Sequence, residues 1–305
     1  MLPHETTQKY SFTVDEQAAG YRLDQAVAQA VPKISRTLVK KLIAFGAVWV
    51  NGKRIKRVST IVHPGDEVCV YPSNEGCKRA YEINPAHILY EDRYLIFYRK
   101  EPGIPSQATP YDDYNNVAAA ILRYKRRRHA HAYVGVHHRL DRDTSGVMLF
   151  TLSPQVNRSI HEQFKQHQVV KTYLALVHGN PEFQHKEIVT YITRQGGSYQ
   201  CNLSGPGKQA RTTFTVCAQL SGYALVKACP LTGRTHQLRL QLAYCGHPVL
   251  GDPLYGGHHP KAARTMLHAA SIEITHPVTE KKLCVQADMF DDMLHLMGET
   301  TPLCR

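Results

Sequence analysis

The chain has 305 residues, 43% hydrophobic and 20% charged, which excludes a wholly disordered chain and a minimal disulfide scaffold. At about 150 residues per domain, that length suggests two domains. Thirty-seven Lys and Arg against 25 Asp and Glu leave a net charge of +12, so a polyanionic partner is expected, either nucleic acid or an anionic membrane surface. The opening MLPHETTQKYSF lacks the positive-then-apolar pattern of a signal peptide, and no later run of about 18 apolar residues could span a membrane. Eight cysteines contain no CxxC pair, which reads as reduced thiols in a cytoplasmic protein.

Residues 1–20 read as a polar leader. From Arg22 to Ala30, Leu23, Ala26, Val27 and Ala30 recur at helical spacing. A second helix begins after Ser35, a good N-cap, and stops before Gly46; Leu38, Leu42 and Phe45 give it one apolar stripe. Ala47 to Val50 and Lys53 to Ile55 then read as strands about an Asn51-Gly52 turn, with a third strand at Val68 to Tyr71. This makes a small α/β module over 21–71.

The segments YRLDQAVAQ, ISRTLVKKLIAFGAVWVNGK and VHPGDEV resemble the small RNA-binding domain named after ribosomal protein S-four. That resemblance implies an RNA-facing surface on the second helix and adjoining hairpin, here Arg36, Lys40, Lys41, Lys53 and Arg54. Such charges bind by neutralising phosphates and releasing counterions, without reading sequence. An ordinary solvated helix face is the alternative.

Residues 72–82 read as a linker, and a larger domain is expected over 83–295, with a tail at 296–305. Ile88 to Tyr90 and Tyr94 to Tyr98 suggest strands. Asn116 to Tyr124 is helix-like and runs into the basic Lys125 to Arg128, a solvated helix end or a phosphate contact. Further strands are expected at Val147 to Leu152, Tyr173 to Val177, Ala210 to Leu220, Tyr223 to Cys229 and Lys282 to Ala287. Helices are expected at Ser159 to His167 and Thr235 to Tyr244, and Thr193 to Gly207 reads as a loop or irregular insertion. The class is therefore α+β, a small α/β domain followed by a mixed, mostly antiparallel one.

His138 to Gly146, HRLDRDTSG, lies between short apolar stretches that would hold a loop at both ends. Composition alone allows either an ion-pair turn or a catalytic carboxylate, and does not choose between Asp141 and Asp143. HRLD followed by TSG is similar to the signature of the RluA family of pseudouridine synthases. The resemblance implies that Asp141 is the catalytic Asp and that Arg139 enters the RNA stack to hold the target base outside. The resemblance does not imply a second catalytic acid at Asp143, for which a structural or surface role is expected. VVKTYLALVHG resembles a second family segment, implying an active-site Tyr173 that stacks on the flipped uracil and assists proton transfer, with Lys171 nearby for phosphate. PLTGRTHQLRLQLAYCGHPVLGDPLYGG and MLHAASIEITHP carry further family signs, implying that Arg239 orients Asp141 and that Leu267 lines the base pocket. Arg234 to Gln237 would support the loop or contact RNA.

The expected activity is an RNA pseudouridine synthase acting on large-subunit ribosomal RNA. Transfer RNA is the alternative target, and a non-catalytic RNA-binding assembly factor the alternative class. No HExxH, Cys/His quartet, GxGxxG or GxxxxGK[ST] occurs, so no metal or cofactor is expected. No membrane partner is expected either, and the protein is expected to be monomeric.

Overall fold

The computed structural model describes residues 9–72 and 81–298, which form two compact units. One comprises 9–72, 81–83 and 107–128, the other 84–106 and 129–298. The linker expected at 72–82 and the tail beyond 298 fall largely outside the described residues.

In the first unit β1 (Tyr10–Thr13), α1 (Leu23–Ala30), α2 (Arg36–Ala44), β2 (Val48–Val50), β3 (Lys53–Ile55) and β4 (Glu67–Val70) follow in turn. The strands form one sheet in the order β1-β4-β2-β3. β1 lies inside the stretch expected to be a leader, yet it pairs with β4 from Tyr10 opposite Val70 to Thr13 opposite Glu67. Tyr10 and Phe12 pack on the core; an alternation only two apolar residues long does not stand out from a polar segment. Ser35 caps α2, its hydroxyl accepting from the Leu38 N–H at 3.3 Å. Val39, Leu42 and Ile43 of α2 join Leu23, Val27, Val48, Val68 and Val70 in the core. Asn51 and Gly52 both have positive φ, 49° and 71°, the geometry of a tight hairpin turn.

Residues 107–128 return to this unit and carry α3 (Val117–Arg126), capped by Asn116, which accepts from the Ala119 N–H at 3.0 Å. The Trp49 indole donates to Pro110 O at 3.0 Å, and Arg123 donates to Tyr81 O and pairs with Glu82. Composition that divides the chain once, near 83, carries no sign of this return.

The second unit contains β5 (Ile88–Glu91), β6 (Leu95–Lys100), β7 (Gly135–Val136), β8 (Ser145–Thr151), α4 (Asn157–Lys165), β9 (Val170–His178), β10 (His185–Gln195), β11 (Ser198–Asn202), β12 (Lys208–Gln219), β13 (Tyr223–Pro230), α5 (Gln237–Tyr244), β14 (Leu267–Thr275), β15 (Lys282–Gln286) and α6 (Asp291–Met297). Its strands share one sheet, ordered β11-β10-β12-β13-β9-β14-β8-β6-β5, with β15 beside β14 and β7 beside β8. The pairing is antiparallel except between β14 and β8, so the sheet is mixed and mostly antiparallel. At that parallel junction Gly146 has φ +114°, and a Cβ there would lie 2.2 Å from Ala269 O. Only glycine permits this approach.

Residues 193–207 are not the loop or insertion their polar composition suggests. Most of them form the β10–β11 hairpin, pairing from Tyr191 opposite Asn202 to Gln195 opposite Ser198, closed by Gly196 and Gly197 at φ 57° and 85°. Tyr199 and Cys201 pack on Ile192, Ala210 and Leu240, while alternate positions face solvent. The expected tail is also corrected: α6 runs to Met297, and Met293, Leu296 and Met297 are buried. They pack with Leu238 and Leu242 of α5 and with Leu176, Phe214 and Val226 of the sheet. Cys69, Cys201, Cys229, Cys245 and Cys284 are free thiols.

Candidate active site

Asp141 lies in the loop between β7 and β8, and the segment after β6 grips that loop on both sides of it. The Ser106 hydroxyl donates to Leu140 O at 2.6 Å and accepts from the Leu140 N–H at 3.0 Å. The Lys100 ammonium donates to Glu101 O, Ile104 O and Arg142 O, each at 2.8 Å, and the Gly103 N–H donates to Arg142 O at 2.9 Å. Burial pushes Lys100 down to about 7; the three carbonyls supply the hydrogen bonds that a buried ammonium requires. Asp143 contributes its carbonyl, which accepts from Arg264 at 3.2 Å. Arg264 also pairs with Asp292 of α6 at 2.6 Å, linking the C-terminal helix to the same loop.

Arg239 projects from α5 between two carboxylates. Its Nε and Nη2 donate to Asp252 Oδ2 and Oδ1 at 2.6 and 2.8 Å, and its Nη1 donates to Asp141 Oδ2 at 3.1 Å. The Arg239 side chain is 7% exposed, Asp252 0% and Asp141 21%, so one carboxylate anchors the guanidinium and the other meets the cavity. Burial opposes the Arg239 charge, but Asp252 and Asp141 outweigh it and raise its pKa above the ordinary value. The fork geometry makes Asp252–Arg239 a fixed bidentate support for Asp141.

Asp141, Arg139, Tyr173, Arg239 and Leu267 line one cavity of about 600 Å³. Arg139 is exposed, and Leu267 is 4% exposed at the start of β14. Tyr173 sits on β9 opposite Ala269 of β14 and Ala228 of β13. Burial first, and the Asp141 charge second, push its phenol well above the ordinary range. Lys171, two residues away and lining the same cavity, is lowered by burial to about 8. His138 is pushed by burial, then by Lys171, down to about 3; its Nε2 accepts from the Leu149 N–H at 2.9 Å and its ring stacks on Phe164 at 5.2 Å.

Three residues gain an importance that sequence reasoning did not give them. Asp252 stands inside the GDPLYGG motif, where an acid in a turn-rich segment is the only available signal. His236, expected only to support the loop or contact RNA, places Nε2 3.9 Å from Asp141 Oδ2. Tyr255 holds the other face of that imidazole, with its hydroxyl 2.8 Å from Nδ1. Gln241, two residues past Arg239, is fully buried and satisfied by Thr212, Thr190, Ile188 O and Ala210 O. It therefore serves local packing.

The basic residues of the first unit divide into two groups. Arg36 donates to the buried Asp24 at 2.7 Å. Burial opposes the Asp24 charge, but Arg36 and Arg22 hold its carboxyl below the usual range. Arg54 pairs with Asp113, lies over the Trp49 ring at 4.6 Å and donates to Thr109 O. Lys40, Lys41 and Lys53 are exposed. Among the described residues no cluster of His, Cys, Asp and Glu could hold a metal ion, and no helix is long and apolar enough to cross a membrane.

A carboxylate presented by a fixed guanidinium at the wall of this cavity suits chemistry at a glycosidic carbon, and two family models match the chain. Residues 94–244 match RNA pseudouridylate synthase, and residues 22–68 match the S4 domain. The chain belongs to the RluA family of RNA pseudouridine synthases, with an S4 RNA-binding domain ahead of the catalytic domain. It is 35% identical over 287 residues to an uncharacterized RNA pseudouridine synthase of Mycoplasma pneumoniae, covering 90% of this chain and 91% of that one. It is 30% identical over 301 residues to ribosomal large subunit pseudouridine synthase C of Vibrio cholerae, covering 93% and 94% of the two chains. The protein of that name from Escherichia coli K12 is also 30% identical, at 92% of each. The solved structure of human RNA pseudouridylate synthase domain containing 4 shares the fold, with TM-score 0.58 and 22% identity over 70% of this chain and 92% of that one.

Proposed function

We propose that this RNA pseudouridine synthase isomerises uridine in large-subunit ribosomal RNA, in the cytoplasm, as a monomer without a cofactor. The target class follows the names of the Vibrio and Escherichia relatives; transfer RNA is the second candidate. The observation that carries the catalytic assignment is the Asp141 carboxylate held at 3.1 Å by Arg239, itself locked by the buried Asp252. A uridine flipped from a loop or weak pair, at a cost of a few kcal/mol, enters the cavity while Arg139 fills the vacated stack. Tyr173 stacks on the base and Leu267 lines its pocket. Asp141 acts at C1′, as nucleophile or charged partner, while the N1 bond breaks. The uracil turns and reattaches through C5.

The test has two stages. Pseudouridine is mapped across total RNA with and without the intact gene, and the purified protein and Asp141→Asn are then compared on the mapped RNA. The variant is expected to keep its fold and much of its RNA binding while losing roughly 10⁴-fold in rate, the scale reached when a catalytic carboxylate is removed. Robust turnover by Asp141→Asn sinks the assignment, and loss of a site only in transfer RNA replaces the proposed target.

A further inference from the structure

Side chains hold the backbone carbonyls on both sides of Asp141. Ser106 donates to Leu140 O, Lys100 to Arg142 O and Arg264 to Asp143 O. The first two donors come from the segment after β6. Arg264 comes from the segment just before β14, and its Nη1 also donates to Thr265 O at 3.0 Å and Leu267 O at 3.4 Å. Asp143 stands just before β8 and Leu267 opens β14, so one guanidinium nitrogen spans the entrances of both strands.

Those two strands are parallel, with His268 opposite Ser145 and Ala269 opposite Gly146. A ladder this short sets their relative position weakly, and parallel pairing is slightly the less stable kind. Side-chain ties must add to it. The Ser145 hydroxyl lies 2.9 Å from His268 Nδ1, and His268 Nε2 lies 3.0 Å from Ala287 O. Arg264 is the second tie, and its contacts to Asp143 O and Leu267 O are long enough to depend on how the guanidinium is aimed.

The aim comes from the C-terminal helix. Arg264 Nε and Nη2 donate to Asp292 Oδ2 and Oδ1 at 2.6 and 2.9 Å, the same fork that Asp252 makes with Arg239. The Asp292 carboxylate stands on a fixed base. Its Oδ1 accepts from the Met293 N–H at 2.8 Å, and Met293, Leu296 and Met297 bury one side of α6. Just ahead of α6, Arg99 donates to Asp288 O and Met289 O at 2.9 and 3.0 Å and lies over the Phe290 ring at 3.9 Å.

We propose that Asp292 is a positioning residue for the reaction: through Arg264 it fixes the Asp141 loop against Leu267, so that the carboxylate and the base pocket keep one spacing. The inference rests on the roles of Asp141 and Leu267 proposed above. Reacting groups must be held to within about 0.5 Å of the productive geometry, and a displacement of about 1 Å can cost about 10²-fold in rate. Asp292 does not line the cavity, so its loss should slow the reaction without removing an RNA contact.

The test compares Asp292→Ala with Asp291→Ala in the full chain, on the mapped RNA. Both changes remove an acid from the first turn of α6, but of the two only Asp292 pairs with Arg264, and Asp291 is exposed. Asp292→Ala should lose about 10–10²-fold in single-turnover rate at saturating enzyme, with RNA affinity unchanged. Asp291→Ala should keep the parent rate, and Asp292→Glu, which restores a carboxylate, should recover most of the loss. The Thr144 N–H, which donates to Asp141 O at 3.2 Å, should exchange with solvent faster in Asp292→Ala, while amides of β12 and β13 keep the parent rates. Asp292→Ala turning over at the parent rate overturns the proposal. Equal losses in Asp292→Ala and Asp291→Ala also overturn it, since they mark the stability of α6 alone. Should Asp292→Ala not fold, Asp292→Asn keeps an acceptor for Met293 and is judged by the same outcomes. Robust turnover by Asp141→Asn overturns the reading of the site instead.

Discussion

Positive charge is used in opposite ways in the two units. In the larger one Arg239 is 7% exposed, fixed by Asp252 and aimed at Asp141. In the S4 unit Lys40 and Lys41 stand exposed on α2, while the nearby Arg36 and Arg54 are tied to Asp24 and Asp113. A desolvated guanidinium between carboxylates sets geometry, and its removal strands a buried charge. An exposed ammonium gains little from any single partner in water, and its use is to attract phosphates. The first should therefore govern rate and fold, the second affinity and its salt dependence.

The sharpest way to break this contrast is to disturb the buried fork. Arg239→Lys keeps a cation but cannot span both carboxylates, so single-turnover rate should fall by about 10²–10³-fold, the range for loss of one fixed electrostatic group. Binding to the mapped RNA should change little. Asp252→Asn should lose rate less steeply while costing about 3–5 kcal/mol of stability, because Arg239 then lacks its buried partner. Denaturant unfolding and single-turnover assays on the same preparations check both. If Arg239→Lys weakened RNA binding and left the rate alone, the two uses of charge would be the same.

This contrast was only partly legible in the sequence. The strong strands β8, β9, β12 and β13 show themselves by dense apolar and β-branched runs, and α2 by its Ser35 cap and its stop before Gly46. The signatures around Asp141, Tyr173 and Arg239 brought together residues far apart in the chain, because each sits on a motif recognisable by itself. Pairings with no local trace were hidden. Nothing near Arg239 says that Asp252 will anchor it, and Arg36 and Arg54 look as available as Lys40 until Asp24 and Asp113 are placed. β1 and the β10–β11 hairpin were concealed by polar faces, since a strand whose alternate residues meet solvent resembles a loop in composition.

Burial also makes the pocket answer to acid in a way the α2 face should not. His138 is held neutral by burial down to about pH 3, whereas an unfolded histidine takes up its proton near 6.5. Between those values the unfolded chain binds the extra proton, so stability falls as pH drops from about 6.5 towards 3, by up to about 1.4 kcal/mol per pH unit. His138→Gln keeps an acceptor for Leu149 and does not titrate. Its unfolding free energy should therefore decline less steeply with acid than the parent's over that interval. Equal slopes in denaturant titrations across the interval would show that His138 does not carry this sensitivity.

The smallest expected effect tests the other half of the comparison. Lys40→Gln and Lys41→Gln should leave the S4 unit folded, because both side chains are exposed and the core side of α2 is formed by Val39, Leu42 and Ile43. Each lost phosphate contact should lower the magnitude of the slope of log affinity against log salt by about 1, uniformly across RNA sequences. The single-turnover rate of the bound complex should stay at the parent value, since the cavity-lining residues of the pocket all belong to the other unit. Arg36→Gln is the informative companion: it removes a charge of the same sign from the same helix, but one already paired with buried Asp24. It should disturb folding more than the salt slope. Unchanged affinity and slope in Lys40→Gln, Lys41→Gln and their double variant would remove α2 as the RNA-facing element. The basic stretch at Lys125 to Arg128, around the end of α3, would then take its place.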